Sequence, residues 1–226
     1  MDRPASTARL LGLGLLITLS LLLTLTPCSA RGWESVAAPS ACGDGTCDPG
    51  ETPPTCPQDC GILLLEEDFE DGQPQDWFYD PAQWEVVSDG GSQVWRNTQG
   101  AYAAAGGAHW KDTVWFLRAR RVNAGAILYL RTDWPNGYGL QLESGRVVLW
   151  TERDGYVQEL ASGNVALGTT WHDYRIEAAG ARVTVQVDGA PILDYTDGPA
   201  ASLHGGIGLE SFVFDGARFD DILVYS

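Results

Sequence analysis

Short runs in which apolar and polar residues alternate recur between residues 62 and 226. A spacing of two residues between apolar positions is what a β-strand with one buried face produces, and no run has the spacing of an amphipathic helix. Glycine-rich turn sequences separate the runs. The predicted strands cover residues 84–87, 114–120, 126–131, 138–143, 146–151, 174–178, 182–187, 192–195, 206–210 and 219–225.

The turn sequences support the same interpretation. Asp188-Gly189 stands between two apolar runs and is a dipeptide that favours a tight type I′ hairpin turn. Asn136-Gly137 and Ser144-Gly145 predict two further turns. About a dozen short strands without helices indicate an all-β fold, in which two antiparallel sheets pack as a sandwich over residues 62–226. No fixed-period repeat is present, which disfavours a propeller or a solenoid.

The first thirty residues have the composition of a secretion signal. Arg3 and Arg9 precede an apolar run over residues 10–25, and small residues follow, ending at Ala30. This order predicts a signal peptide over residues 1–30 with cleavage near Ala30, and hence a secreted, extracellular protein.

Two alternatives concern the same segment. The apolar run could be a permanent membrane anchor, although it is shorter than the roughly 18–20 residues that span a bilayer. Cys28 could instead carry a lipid, although Pro27 stands where a small flexible residue is usual. No second apolar run of this length occurs, so we expect no stable transmembrane segment after cleavage.

Four cysteines follow within a short stretch, after a linker over residues 31–41. An even number of cysteines in an exported chain indicates disulfide bonds, and four cysteines allow three pairings between which the sequence does not choose. Zinc is the alternative, but the spacing lacks paired C-x2-C motifs. The predicted disulfide module covers residues 42–61 and contains Cys42, Cys47, Cys56 and Cys60.

The module also carries acidic residues among its glycines. These are Asp44, Asp48, Glu51 and Asp59. They could gather a calcium ion, and the alternative is a solvated, turn-rich knot. The stretch resembles a short CGDGxC…CPxDC module that recurs in secreted multidomain proteins of bacteria and archaea. The resemblance implies a spacer or a small structural unit.

Four segments of the larger domain carry a more specific resemblance. They read Trp171-His-Asp-Tyr-Arg-Ile-Glu, Val183-Thr-Val-Gln-Val-Asp-Gly, Gly205-Gly-Ile-Gly-Leu and Phe219-Asp-Asp-Ile-Leu-Val. In this order they resemble the concanavalin A-like lectin/glucanase superfamily, and within it the laminin-G-like and 3-keto-disaccharide hydrolase domains. The resemblance implies a jelly-roll sandwich. It leaves activity open, because this fold hosts lectins, hydrolases and adhesion modules.

The charge of the chain excludes one class of partner. The 226 residues include 30 Asp and Glu against 14 Lys and Arg, a formal net charge of −16. Binding to a nucleic-acid backbone needs clustered Lys and Arg, so no nucleic-acid partner is expected. Much of the excess is local, since residues 62–89 contain nine acidic and no basic residues.

Catalytic motifs are scarce. The ExDxxE strand that carries the carboxylates of the glucanase family is absent, as are HExxH and GxSxG motifs. Glu143 and Glu152 lie on neighbouring predicted strands and are the weak candidates for a catalytic carboxylate pair. No residue is assigned a catalytic role with more support than this.

Strand alternation predicts a polar and aromatic patch on a concave sheet face. If Leu128, Leu130, Leu140 and Leu142 point into the core, the intervening side chains point outward. Such a patch suits a carbohydrate, because arginine and amide groups bond sugar hydroxyls. The alternative is an ordinary solvated sheet face. The patch would comprise Tyr129, Arg131, Gln141 and Glu143.

Several tryptophans are candidates for stacking on sugar rings. Trp77 and Trp134 lie in loop-like stretches, and Trp95 and Trp150 are further candidates. Most of the nine tryptophans are expected to fill the core, because large sandwiches use them in this way. The structural group is expected to include Trp84, Trp115 and Trp171.

Acidic residues at the two ends of the domain predict a structural calcium ion. First and last strands of such sandwiches usually pair, which would bring these acids together, and calcium takes six to eight oxygen ligands. The alternative is that the last two acids bond backbone donors at a strand end. The five candidate ligands are Asp68, Glu70, Asp71, Asp220 and Asp221.

Three functions remain open from the sequence. The leading hypothesis is a secreted, non-catalytic module for carbohydrate binding or adhesion, which recognises glycans or polysaccharides on its concave face. The first alternative is a glycoside-cleaving enzyme of the 3-keto-disaccharide hydrolase type. The second alternative is a structural or protein-binding domain at the cell surface.

Overall fold

The computed structural model describes residues 42–226, except residues 44, 49, 54, 99, 124, 134, 135, 214 and 215. The predicted signal peptide, the linker and the lipid alternative at Cys28 therefore lie outside the described residues, as does Trp134. Within the described ranges the helix is the four-residue α1 (Pro57–Cys60). No helix in this part of the chain has the length and apolarity needed to cross a membrane.

Fifteen strands make up nearly all of the regular structure in the described residues. They are β1 (Leu63–Glu67), β2 (Trp77–Phe78), β3 (Trp84–Asp89), β4 (Ser92–Asn97), β5 (Tyr102–Ala105), β6 (Thr113–Arg121), β7 (Ala126–Asp133), β8 (Asn136–Leu142), β9 (Arg146–Arg153), β10 (Tyr156–Asn164), β11 (His172–Ala179), β12 (Arg182–Val187), β13 (Ala190–Thr196), β14 (Gly206–Ser211) and β15 (Ala217–Tyr225).

The strands form two antiparallel sheets that pack as a sandwich. The eight-stranded sheet has the order β13-β12-β11-β6-β15-β4-β3, with β1 beside the second half of β15. The seven-stranded sheet has the order β10-β9-β8-β7-β14-β5-β2. The predicted all-β jelly-roll sandwich is confirmed, and the first and last strands pair as expected.

The core between the sheets is centred on aromatic rings. Trp95 is fully buried, and its ring centroid lies 4.3 Å from that of Trp84, 5.1 Å from Trp77 and 5.5 Å from Phe69. Leucine and valine side chains from both sheets surround this cluster. Burial of so much apolar surface is the main force that holds the two sheets together.

The ten predicted strands are all present, and the structure adds five that the pattern missed. Four of these, β1, β2, β4 and β5, are short or lack clean alternation, and β5 is mostly alanine. The fifth, β10, exposes most of its residues at a sheet edge, so it has no buried face to produce alternation.

Two of the predicted turns are found. Asp188 and Gly189 both have positive φ, 52° and 76°, as the type I′ turn requires. Ser144 and Gly145 connect β8 to β9, where the Glu143 N–H donates to the Arg146 carbonyl at 2.9 Å. The predicted turn at Asn136-Gly137 is wrong, because β8 already begins at Asn136.

The cysteine module is held by two disulfides. Cys42 pairs with Cys56 and Cys47 with Cys60, with Cα–Cα distances of 5.3 and 4.9 Å. This selects one of the three pairings and leaves none of the four thiolates for zinc. The Asp59 carboxylate accepts the backbone N–H groups of two nearby glycines, at 2.6 and 2.9 Å, which closes the loop at its other end.

Candidate functional site

One row of residues crosses the centre of the outer face of the seven-stranded sheet. Strand register places Trp150 beside Gly139, Gly139 beside Tyr129, Tyr129 beside Gly208, and Gly208 beside Ala104. Large rings and residues without side chains therefore alternate along the row. This arrangement leaves room for the rings to lie over the glycine backbone.

The two glycines are needed where they stand. A Cβ atom on Gly139 would overlap the Trp150 indole, and one on Gly208 would lie 2.6 Å from Tyr102 Cε2. The rings of Trp150 and Tyr102 thus occupy the space above the glycines and flank Tyr129. Their centroids lie 5.8 and 5.1 Å from that of Tyr129, edge to face. We call Tyr102, Tyr129 and Trp150 the aromatic row.

A carboxylate fixes the middle ring of the aromatic row. The Tyr129 hydroxyl donates a hydrogen bond to Glu210 Oε2 on β14. Burial raises the pKa of Tyr129 far above its usual value, and the bond to Glu210 raises it further. Tyr129 therefore keeps its proton at any physiological pH and acts as a hydrogen-bond donor.

An open trough of about 420 Å³ lies on one side of the aromatic row, over β7 to β10. Trp150 lines it together with a group of polar side chains. Gln141 Nε2 donates to Glu143 Oε1 at 3.0 Å, and Arg146 Nε donates to Glu143 Oε2 at 2.7 Å. Arg146 also lies 3.8 Å from Glu159. We call this depression the β9 trough.

A second open trough, of about 470 Å³, lies on the other side of the row. Its floor consists of small residues of β5, β14 and the loop after β5, which are alanines and glycines. Tyr102 lines one part of it, and Phe78 at the sheet edge is 83% exposed. Thr132 and Asp133 supply polar atoms. We call this depression the β5 trough.

Three of the four predicted patch residues meet on this face, and the fourth does not. Tyr129, Gln141 and Glu143 line the β9 trough, whereas the Arg131 side chain is 1% exposed. The expectation that Arg131 points outward is wrong. The register of β7 shifts after Leu130, and Arg131 has a φ of 48°, so a bulge turns its side chain away from the outer face.

Arg131 instead joins several loops at one end of the sandwich. Its guanidinium donates to the carbonyls of Lys111, Gly180 and Ser202, and to Asp112 Oδ1 at 3.0 Å. Burial lowers the pKa of Arg131, and the neighbouring Asp112 carboxylate opposes that effect. These bonds give Arg131 a structural role.

Two tryptophans that were candidates for sugar contact belong to the core. Trp77 is 8% exposed and packs edge-on against Trp95, which is itself fully buried. The expectation that they contact a ligand is therefore wrong. Trp84 and Trp115 are buried as expected. Trp171 is half-buried on the eight-stranded sheet, under the guanidinium groups of two arginines.

The structure does not bring together Glu143 and Glu152, the candidate catalytic carboxylates. Glu152 pairs with Gly137 on β8, whereas Glu143 follows the other end of that strand and faces Arg146. Six residues along an extended strand place the two carboxylates about 20 Å apart. Glycoside hydrolysis by two carboxylates needs a separation below about 10 Å, so this pair cannot perform it.

The five predicted calcium ligands are only partly brought together. Ser92 Oγ lies 2.9 Å from both Glu70 Oε1 and Asp220 Oδ2, which places these two carboxylates near each other. Asp68 accepts the backbone N–H of Glu70, which closes a turn of its own segment. Asp221 pairs with a guanidinium group.

Two further observations bear on that site. Asp71 accepts bonds from Gln73 and Gln75 within its own turn, so its oxygens are already engaged. Arg118 lies 3.5 Å from Asp220 and 3.0 Å from Asp221, so a guanidinium group already pairs with both carboxylates. Among the described residues, these acids do not form a group of three with oxygens close enough for one ion.

Calcium binding stays a prediction and has a direct test. If the ion is bound, EDTA should lower the melting temperature and added calcium should restore it, because a ligand of the native state stabilises that state. Melting curves of the mature protein, followed by circular dichroism, measure this. Identical curves with EDTA and with calcium would rule out a structural ion. Magnesium serves as the control cation.

Sequence reasoning missed several residues of this face. Tyr102, Glu210 and Arg146 were not singled out. The signal that could have found them is the glycine at alternate positions of two strands, as in Gly206-Ile-Gly-Leu. A strand glycine often marks close approach of another group, here an aromatic ring from the neighbouring strand.

Comparison with known proteins agrees with this fold. The chain belongs to the family described as the 3-keto-alpha-glucoside-1,2-lyase-like domain, whose model matches residues 53–224. Among proteins with curated records, none matches the chain in sequence.

Several solved structures have the same fold. The carbohydrate-binding module CBM66 from Bacillus subtilis superposes with a TM-score of 0.52 and 17% identity, over 64% of this chain and 96% of that one. Domain 4 of AbnA, a GH43 extracellular arabinanase from Geobacillus stearothermophilus in complex with arabinotriose, superposes with a TM-score of 0.53 and 11% identity, over 74% of this chain and 93% of that one. A glycoside hydrolase family 16 endo-glucanase from Bacteroides ovatus superposes with a TM-score of 0.50 and 12% identity, over 71% of this chain and 98% of that one.

Proposed function

We propose that this protein is a secreted glycan-binding module that holds its ligand on the outer face of the seven-stranded sheet and does not cleave it. The aromatic row over its glycine floor is the observation that carries the proposal. Rings of this kind stack on the apolar faces of sugars, and the neighbouring amide, carboxylate and guanidinium groups bond hydroxyls. Fold relatives that include carbohydrate-binding modules support it.

The bonds that the carboxylates of this face accept suit binding. Glu143 is held by Gln141 and by Arg146, and Glu210 is held by the Tyr129 hydroxyl. These bonds fix the position of each carboxylate, which suits recognition of a hydroxyl pattern.

Secretion is part of the proposal. It rests on the signal-like first thirty residues and on two disulfides, which persist in oxidising compartments. Expression with the native leader, followed by fractionation and amino-terminal sequencing, tests it. Mature protein that begins after Ala30 outside the cytoplasm is the expected result, and intact leader in the cytoplasm would contradict it.

Replacing Trp150 with alanine is expected to weaken glycan binding by about tenfold or more while leaving the fold intact. The indole is half-buried above Gly139, and its loss removes the largest apolar surface of the β9 trough. Loss of one stacking ring, with its share of buried area, lowers affinity by about tenfold or more. A glycan array that includes arabinan and mixed-linkage β-glucan, followed by calorimetry on the hits, measures this.

Trp171→Ala is the matched control for that experiment. Trp171 is also a half-buried tryptophan, but it lies on the eight-stranded sheet, against Arg118 and Arg120. The Trp171→Ala variant should bind glycans with the same affinity as the unmodified protein. Equal loss of binding in both variants would contradict a site on the seven-stranded sheet, and no binding by the unmodified protein would contradict the proposed function.

The family to which the chain belongs supports a second candidate function, elimination from 3-keto-glucosides. Such a reaction removes a proton beside the ketone and needs a base. Glu210, beside Tyr129, is the carboxylate that this face offers at its centre. Incubation with a 3-keto-α-glucoside, with Glu210→Gln as the control, tests it. Release of the leaving group by the unmodified protein, and not by the Glu210→Gln variant, would favour an enzyme over a binding module.

A further inference from the structure

We infer that the ligand is an internal segment of an extended, neutral polysaccharide, which lies across both troughs. The inference rests on the proposed function and specifies its ligand. A site for a chain end or a single sugar would need one closed pocket. This face has instead two open depressions of similar volume, about 470 and 420 Å³, on opposite sides of the aromatic row.

The two troughs meet at a single ring contact. Tyr102 lines the β5 trough and Tyr129 lines the β9 trough, and their ring centroids are 5.1 Å apart. Tyr129 is 6% exposed, so its ring is packed between its neighbours and does not project as a wall. A chain that lies in one trough can therefore continue into the other.

Apolar contact surface is present at both ends of this path. Phe78, on the edge strand β2, is 83% exposed beside the β5 trough. Val157, on the opposite edge strand β10, is 65% exposed beside the β9 trough. Seven strands separated by about 4.8 Å give a path of about 29 Å, enough for several sugar residues in a row.

Charge favours a neutral chain over an acidic one. Among the described residues that line the troughs, the acidic side chains are Asp133, Glu143 and Glu159, and the cationic side chain is Arg146. Arg146 is already paired with both glutamates. A uronate or sulfate would meet three carboxylates and one guanidinium group, and this excess of negative charge repels it, whereas the hydroxyls of a neutral sugar can donate to the carboxylates.

Calorimetry with a ladder of neutral oligosaccharides tests the inference. The ladder runs from disaccharide to hexasaccharide and is prepared from the polymer that binds best, arabinan or mixed-linkage β-glucan. Affinity should rise with each added sugar beyond the disaccharide, because the longer chain reaches the second trough. An affinity that no longer rises beyond the disaccharide would overturn the inference and leave the proposed function standing.

Variants in each trough show whether both are used. Phe78→Ala and Trp150→Ala should each weaken hexasaccharide binding by about tenfold. With the disaccharide, which fills one trough, only one of the two should have an effect. Leu203→Ala, another exposed apolar residue that lines neither trough, is the control. If Phe78→Ala leaves hexasaccharide binding unchanged, the path across both troughs is wrong.

Polygalacturonate at low salt tests the charge argument. It should bind more weakly than the neutral polymer, and its binding should not be the tighter of the two at any salt concentration. Tighter binding of the polyanion would overturn the assignment to a neutral chain. Failure of every polysaccharide, neutral and acidic, would instead remove the proposed function itself.

Discussion

Replacing Arg131 with methionine should lower the free energy of unfolding by about 3 kcal/mol. Methionine keeps an unbranched apolar side chain but leaves the carbonyls of Lys111, Gly180 and Ser202 without the donor that they share. At this partly buried site each carbonyl that loses its partner costs about 1 kcal/mol, the low end of the range for an unsatisfied acceptor. Urea unfolding followed by tryptophan fluorescence measures the difference, as a lower midpoint at unchanged slope.

Arg182→Met is the matched control. Arg182 also pairs with an aspartate, through two bonds of 2.7 and 2.6 Å to Asp194, but both of these side chains are more than half exposed. Exposed pairs of this kind contribute little to stability. The urea midpoint of the Arg182→Met variant should therefore equal that of the unmodified protein. If Arg131→Met were equally harmless, the loops that Arg131 joins would be held by other contacts.

Truncation of Trp95 to alanine should cost about 3–5 kcal/mol, which is a large part of the roughly 5–15 kcal/mol by which domains of ordinary stability are held folded. Four aromatic rings lie within 5.5 Å of it, those of Phe69, Trp77, Tyr79 and Trp84. A cavity at that point cannot close, because its neighbours belong to separate segments. Thermal and urea unfolding both measure the loss.

Trp95→Phe distinguishes the packing of the ring from hydrogen bonding. Among the described residues, no group accepts a hydrogen bond from the Trp95 indole N–H, so phenylalanine removes no such bond. We expect a smaller cost than that of alanine, because phenylalanine keeps most of the packed ring. A loss equal to that of alanine would show that a six-membered ring does not fill the place of the indole in this cluster.

The fold follows from the sequence because alternation depends on one physical fact, that each sheet has one buried face. The runs around Leu140 and Val185 alternate, and both residues are buried. The same argument fails for β10, at the edge of its sheet, where most side chains face solvent. Edge strands are therefore the part of a sandwich that this pattern finds least well.

The site could be predicted only as far as alternation held. Gln141 and Tyr129 were placed on the right face because β7 and β8 are regular up to Leu130. One bulge then reverses the direction of Arg131, and nothing in the run Ile127-Leu-Tyr-Leu-Arg indicates it. A bulge depends on how two strands pair with each other. The sequence of one strand does not contain the identity or the register of its partner strand.

The tryptophans show a second limit. Trp95 and Trp150 both occur within strands, with similar neighbours in sequence, yet one fills the core and the other lies on the outer face. What separates them is the residue on the adjacent strand, since Trp150 lies over Gly139. For Gly208 the adjacent strands are distant in sequence, since β14 stands between β7 and β5, and a single run of residues does not indicate them.

The pairing of the first and last strands has a mechanical consequence. Ile62 and Ser226 exchange both backbone hydrogen bonds at 3.0 Å, and β1 runs antiparallel to β15, so the chain enters and leaves the sandwich at neighbouring points. A force that pulls Gly61 and Ser226 apart would load these bonds one at a time, as in a zipper, and would peel β1 away. β1 is therefore the strand that should detach first when the domain is stretched between these two points.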